Sequence, residues 1–147
     1  MDSLTHLAVA VVMGGPSEEH EISLRSGGGI VEALGRRRAH AEPVVIPKQL
    51  SVREACDVVE QALRATHADV AFIALHGAFG EDGTIQELCE RLHVAYTGSD
   101  ATASRLGMDK AASRIRFQEA GLLVPRCLLL ERTRLSDRQV ALTPAGL

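Results

Sequence analysis

Hydrophobic residues arrive along this chain in short unbroken blocks, separated by stretches with helical spacing. Leu7–Met13 (LAVAVVM) is a Val-rich run that stops at Gly14-Gly15-Pro16-Ser17. A run this short, bounded by glycine, suits a strand buried on both faces. After Glu18-Glu19-His20-Glu21, the spacing of Leu24, Val31 and Leu34 predicts a helix from Ser23. Gly27-Gly28-Gly29 falls inside it. Each glycine costs a helix interior about 1 kcal/mol relative to alanine, so the triplet either permits close backbone packing or delays the helix start. Pro43–Pro47 (PVVIP) predicts a short strand. Ser51-Val52-Arg53-Glu54 has the form of a capping box, and Val52, Ala55, Cys56, Val59, Ala62 and Leu63 then mark an amphipathic helix over Val52–Thr66. Asp69–Leu75 is the next predicted strand. A helix marked by Ile85, Leu88, Cys89 and Leu92 follows Asp82-Gly83-Thr84, and Val94–Thr97 is a strand closed by Gly98-Ser99.

Strands alternating with helices predict an α/β fold, a parallel sheet with helices on both faces. Right-handed crossovers bring the C-terminal ends of such strands to one edge. Gly14-Gly15 and His76-Gly77 therefore belong at the same edge, where open α/β sheets hold their ligands. Val70–Gln86 (VAFIALHGAFGEDGTIQ) is the stretch that best shows this design. A buried strand delivers a polar, glycine-punctuated loop to the sheet end, and the acidic start of a helix follows. Beyond Ser99 the pattern changes. Asp100–Gly107 reads as a short helix. Asp109 is placed to cap a second over Lys110–Ala120, ended by Gly121. Cys127–Leu130 reads as a strand, and Leu135–Leu142 is ambiguous.

Composition narrows the class. The chain has 147 residues, enough for one domain with a real core, and 46% of them are apolar. The formal net charge is −3 and no basic block exceeds Arg36-Arg37-Arg38, which argues against a general nucleic-acid surface. No apolar run is long enough to span a membrane, and the N-terminus lacks the form of a signal peptide, so a cytoplasmic protein is expected. Cys56, Cys89 and Cys127 are scattered, without CxxC spacing, and read as reduced, mostly buried thiols.

Four features could carry chemistry. The Gly14-Gly15 loop joins strand to helix, a place where backbone N–H groups can meet an anion. However, GGPSEE is not the GxGxxG dinucleotide fingerprint, and a plain tight turn is the simpler reading. Glu18, Glu19 and Glu21 suit a solvated helix start. The sharper alternative is a carboxylate that binds a substrate ammonium, for which Glu19 is best placed; such a charge-assisted bond contributes roughly 1.5–3 kcal/mol. His20 beside them forms no HExxH motif, and no metal site is expected. His76 is either structural or a ligand contact at the crevice. Lys110, at a helix start, opposes the helix dipole and needs a carboxylate, a phosphate or simple solvation to offset this.

The segments GGPSEEHEISLRSG, LHGAFGEDGTIQELCE and AYTGSDATASRLGMDK, in that order, closely resemble the N-terminal part of bacterial D-alanine–D-alanine ligases. The resemblance runs from about Leu7 to Pro125. It implies a Rossmann-like pre-ATP-grasp domain over residues 1–100 and the opening segment of an ATP-grasp domain over 101–147. In that family ATP phosphorylates the carboxylate of a first D-alanine. The amino group of a second then attacks the acyl phosphate to give D-alanyl-D-alanine for peptidoglycan. By resemblance, Glu19 binds the first D-alanine's ammonium group and is the catalytic residue carried over. His76 lines the same pocket, the backbone of Gly14 and Gly15 faces it, and Lys110 contacts ATP phosphates. Full-length relatives use ATP and Mg2+, and a homodimer is expected. The family continues about as far again, and the magnesium-binding acids lie in that later part. The chain alone is therefore expected to be an inactive N-terminal piece. Two alternatives stand beside this reading: a non-catalytic binding or oligomerisation module of the same fold, and a related ligase joining D-alanine to D-lactate or D-serine.

Overall fold

The computed structural model describes residues 6–128. It divides into two compact units, with the boundary between Met108 and Asp109.

The first unit is built on a parallel sheet of four strands in the order β2-β1-β3-β4. These are β1 (Ala8–Gly14), β2 (His40–Ile46), β3 (Val70–Ile73) and β4 (Ala95–Tyr96). The register pairs Ala8 with His40 and Gly14 with Ile46 on one side of β1, and Val9 with Val70 and Val12 with Ile73 on the other. Helix α1 (His20–Arg36) joins β1 to β2, α2 (Val52–Ala65) joins β2 to β3, and α3 (Thr84–Leu92) joins β3 to β4. A short α4 (Ala101–Met108) follows β4.

Alternation along β1 builds both layers at once, because successive strand side chains point to opposite faces. Val9, Val11 and Met13 enter one core, against Leu24, Ile30, Val31 and Leu34 of α1. Ala10 and Val12 enter the other, with Ala55, Val59 and Leu63 of α2 and Ile85, Leu88 and Cys89 of α3. A strand buried on both faces has no polar face to show, which is why Leu7–Met13 reads as a continuous apolar run.

The α/β expectation holds, and the departures lie at element ends. Helix α1 begins at His20, three residues before the predicted start, and the glycine triplet sits inside it. A Cβ on Gly27 would lie 2.6 Å from Met13 Cβ, whereas Gly28 and Gly29 meet nothing within 4 Å. Close packing therefore explains one glycine of the three. Strand β2 starts before Pro43; it is an edge strand, where a missing ladder N–H is tolerated. The capping box of α2 is present: Ser51 N–H donates to Glu54 Oε2 at 2.8 Å, and Glu54 N–H donates to Ser51 Oγ at 3.3 Å. Strands β3 and β4 are shorter than predicted. The Thr97 hydroxyl extends the ladder by accepting from Ile73 N–H at 3.0 Å.

In the second unit, α5 (Lys110–Glu119) is capped by Asp109, whose Oδ1 accepts from Ala111 and Ala112 N–H, both at 3.0 Å. It ends in a glycine cap. Gly121 has φ +76°, its N–H donates to Gln118 O, and Leu122 N–H donates to Phe117 O. Cys127 and Leu128 form no strand. Leu129 and Leu130, with the ambiguous Leu135–Leu142, lie outside the described residues. Cys89 is buried and burial pushes its thiol up to about 11; Cys56 is half-buried, and Cys127 is exposed rather than buried. Among the described residues no helix is long and apolar enough to cross a membrane.

Candidate functional site

Strand order creates the site. The chain leaves β1 toward β2 on one side, then returns through α2 to β3 on the other. Beyond the C-terminal ends of β1 and β3 the two connections diverge, leaving a crevice at the topological switch point. The loop of Gly14-Gly15 and the loop of His76-Gly77 form its two sides.

The first loop is a tight turn. Gly14 and Gly15 both have φ +86°, a region that favours glycine, and a Cβ on Gly14 would lie 2.4 Å from Ile46 O. Gly14 N–H donates to Ser23 Oγ at 2.8 Å, and Gly15 N–H donates to Ile46 O at 2.9 Å. His20, buried, donates from Nδ1 to Gly15 O at 2.9 Å. Both glycine amides are thus engaged inside the protein. What the pair offers a ligand is close backbone approach, not N–H donors.

The second loop is bound to the first through serines. Ser17 Oγ donates to His76 O at 2.8 Å and accepts from Glu19 N–H at 3.0 Å, so one hydroxyl joins the backbones of Glu19 and His76. Ser23, fully buried, donates to Ala74 O at 2.7 Å while accepting from Gly14. Glu19 occupies the N-cap position of α1, yet its side chain makes no capping bond. Its carboxylate lies over Gly77 instead: Oε2 would be 3.6 Å from a Cβ placed there. The structure therefore brings Glu19 and the His76 loop together, with Gly14 and Gly15 at the head of the same turn.

His76 sits with Nε2 3.1 Å from Ser26 Oγ and Nδ1 3.8 Å from Glu81 Oε1. The loop beyond it is held by Asp82, which accepts from Phe79 N–H at 2.8 Å and from Thr84 N–H at 3.0 Å. Burial pushes the Asp82 carboxyl up, but these N–H bonds win and hold it below the usual carboxylate range. Phe79, buried at φ +73°, depends on that clasp, because a bulky residue in the left-handed region is strained. His76 itself lines an open cavity of about 490 Å³, together with Glu81, Gln86, Thr97, Ser104 and Met108 among others.

Lys110 is the first residue of α5 and exposed, and belongs to the second unit. The Asp109 carboxylate supplies the acid at that helix start. Among the described residues no group of three or more His, Cys, Asp or Glu could hold a metal ion. Sequence reasoning did not single out the linking roles of Ser17, Ser23 and Ser26. Single hydroxyls carry no periodic or spacing signal, and their partners are mostly carbonyls 50 or more residues away.

A parallel sheet with helices on both faces and a crevice at its switch point places this domain in the doubly wound α/β class. A family model described as "D-ala D-ala ligase N-terminus" matches residues 8–57 and 47–99, and the chain belongs to that family. It is 42% identical over all 147 residues to the D-alanine–D-alanine ligase of Anaeromyxobacter dehalogenans (strain 2CP-1), covering 45% of that protein. The ligase of Pelotomaculum thermopropionicum is 44% identical over 86% of this chain and 37% of its own length. The crystal structure of the Bacillus anthracis D-alanine–D-alanine ligase complexed with ATP superposes with a TM-score of 0.66 at 28% identity, over 88% of this chain and 44% of that one. The chain spans less than half the length of the curated relatives it matches.

Proposed function

We propose that this chain forms the first-substrate wall of a D-alanine–D-alanine ligase, an enzyme that joins two D-alanines at the expense of ATP. The observation that carries the reading is the Glu19 carboxylate lying over Gly77, beside His76, at the switch point. In this role Glu19 takes the ammonium group of the first D-alanine. His76 lines the pocket, and Gly14-Gly15 lets the substrate approach the backbone. ATP transfers its terminal phosphoryl group to that D-alanine's carboxylate. The second amine then displaces phosphate, giving the dipeptide, ADP and phosphate. Lys110 contacts the ATP phosphates. Phosphoryl transfer depends on positioning and charge stabilisation. The described residues hold no group of acids that fits a magnesium site. The same reading takes residues 1–100 as a pre-ATP-grasp domain and 101–147 as the opening of an ATP-grasp domain. It has the protein acting in the cytoplasm as a homodimer, which sedimentation can check.

The test is a chimera in which this chain replaces the matching part of the Anaeromyxobacter dehalogenans ligase. D-alanine-dependent phosphate release is expected from the chimera and none from the 147-residue chain alone. Glu19→Gln in the chimera should raise the KM for the first D-alanine at least tenfold, given about 1.5–3 kcal/mol for a charge-assisted bond. An unchanged KM would remove Glu19 from the pocket.

A further inference from the structure

We propose that Ser26 is a positioning residue for His76: it fixes the imidazole with its proton on Nε2. Nδ1, the nitrogen facing Glu81, is then the unprotonated nitrogen of the neutral ring. Ser26 lies on α1 and its hydroxyl makes two contacts. It donates to Ile22 O, one helical turn back, at 2.9 Å. It also lies 3.1 Å from His76 Nε2. A hydroxyl carries one proton. With that proton on Ile22 O, the oxygen meets the ring with a lone pair, so Nε2–H is the donor. The bond made by one ring nitrogen decides the state of the other.

Nδ1 is 3.8 Å from Glu81 Oε1, so a proton arriving there forms an ion pair. Glu81, on the same loop, is the charged group against the ring, and Glu19, at the start of α1, lies over the neighbouring Gly77. The His76 side chain is 34% exposed. Ser26 and Glu81 are the polar contacts of its two ring nitrogens, and Ser26 is the one at hydrogen-bond distance. The backbone is held separately, by Ser17 on His76 O. One helix start therefore sets both the position of His76 and its protonation pattern. Any service of Nδ1 to a substrate rests on the function proposed above. The tautomer does not.

The experiment reads the tautomer with no substrate present. The whole 147-residue chain is labelled with 15N-histidine, and long-range 1H–15N correlations are recorded at about pH 8.5, roughly two units above the ordinary histidine pKa. His76 is expected to show a protonated Nε2 and an unprotonated Nδ1. The reverse pattern would overturn the proposal. Ser26→Ala removes the acceptor and should give a mixture of the two tautomers. Ser26→Thr keeps a hydroxyl that can bond Ile22 O and should restore the single form. A Ser26→Ala ring that stays purely Nε2–H, with the other amide signals unchanged, also overturns it. If Ser26→Ala does not fold, the unsubstituted chain and Ser26→Thr still decide the matter. Failure here would leave the ligase reading untouched, and a failed chimera would leave the tautomer untouched.

Discussion

Replacing Gly28 and Gly29 by alanine should stabilise this protein, whereas the same change at Gly27 should destabilise it. All three lie in α1. A Cβ on Gly28 or Gly29 meets nothing within 4 Å, and both positions are exposed. Alanine there costs no contact and removes the backbone freedom that the unfolded chain otherwise keeps, a gain of about 0.8–1 kcal/mol per site. The pair should give about 1.5–2 kcal/mol, or roughly 5–8 °C in Tm for a domain of this size. At Gly27 the new Cβ would lie 2.6 Å from Met13 Cβ and 2.7 Å from its Sδ and Cε. The sulfur and methyl can swing away, but Met13 Cβ is one bond from the backbone of the central strand. Overpacking of about 1–3 kcal/mol then outweighs the helix gain of about 1 kcal/mol. Urea unfolding checks this through the midpoint at unchanged slope. A lower midpoint for the Gly28→Ala/Gly29→Ala pair, or a higher one for Gly27→Ala, would refute the reasoning from space around each glycine.

Two further perturbations probe the clasps of the site. Ser23→Ala strands the Gly14 N–H and the Ala74 carbonyl beside a fully buried position, and should cost about 2–4 kcal/mol at about 1–3 per unsatisfied group; a loss under about 0.5 kcal/mol in denaturant would mean those groups find other partners. Asp82 has its pKa lowered on folding, so its contribution is fully present above the unfolded value near 3.8 and is lost as pH falls through the lower folded value. Asp82→Asn should therefore be less stable than the parent at neutral pH, with the gap closing below about pH 4; a gap that stays constant from pH 6 to pH 3 would show that the carboxylate charge is not what holds Phe79 and Thr84.

Much of the fold was legible because its signals are local. The apolar runs at β1 and β3, the Ser51–Glu54 capping box and the Asp109 cap all read directly from short windows. Tertiary context set the element ends. His20, whose ring is fastened to Gly15 O, starts α1 early, and Thr97 continues the ladder beyond β4 with its amide, which donates to Ala71 O, and its hydroxyl, which accepts from Ile73 N–H. Glycine shows the limit most clearly. The sequence GGG is uniform, yet only Gly27 faces Met13. Which glycine is needed depends on a neighbour fourteen residues away. The crevice at His76-Gly77 follows from strand order, but what surrounds the His76 ring does not, because Ser26 and Glu81 reach it from opposite directions in the chain.

Those partners share an origin that accounts for the crevice's form. Ser17, Ser23 and Ser26 all belong to the turn after β1 or the first turns of α1, and all three bond to residues 74–76. Ser23 and Ser26 are three apart and so lie on one helix face. That face can reach the end of β3 only because β3 lies next to β1, on the side that α1 leaves as it crosses to β2. The tight turn makes this possible: with any side chain at Gly14, the loop would collide with Ile46 O. Strand order therefore opens the crevice, glycine starts α1 close to it, and three hydroxyls fix the opposite loop to that helix. Glu19, whose side chain makes no capping bond, is the charged group this arrangement leaves facing the gap. That carboxylate is exposed, so water satisfies it, and its charge stands beside the crevice at little cost to the fold.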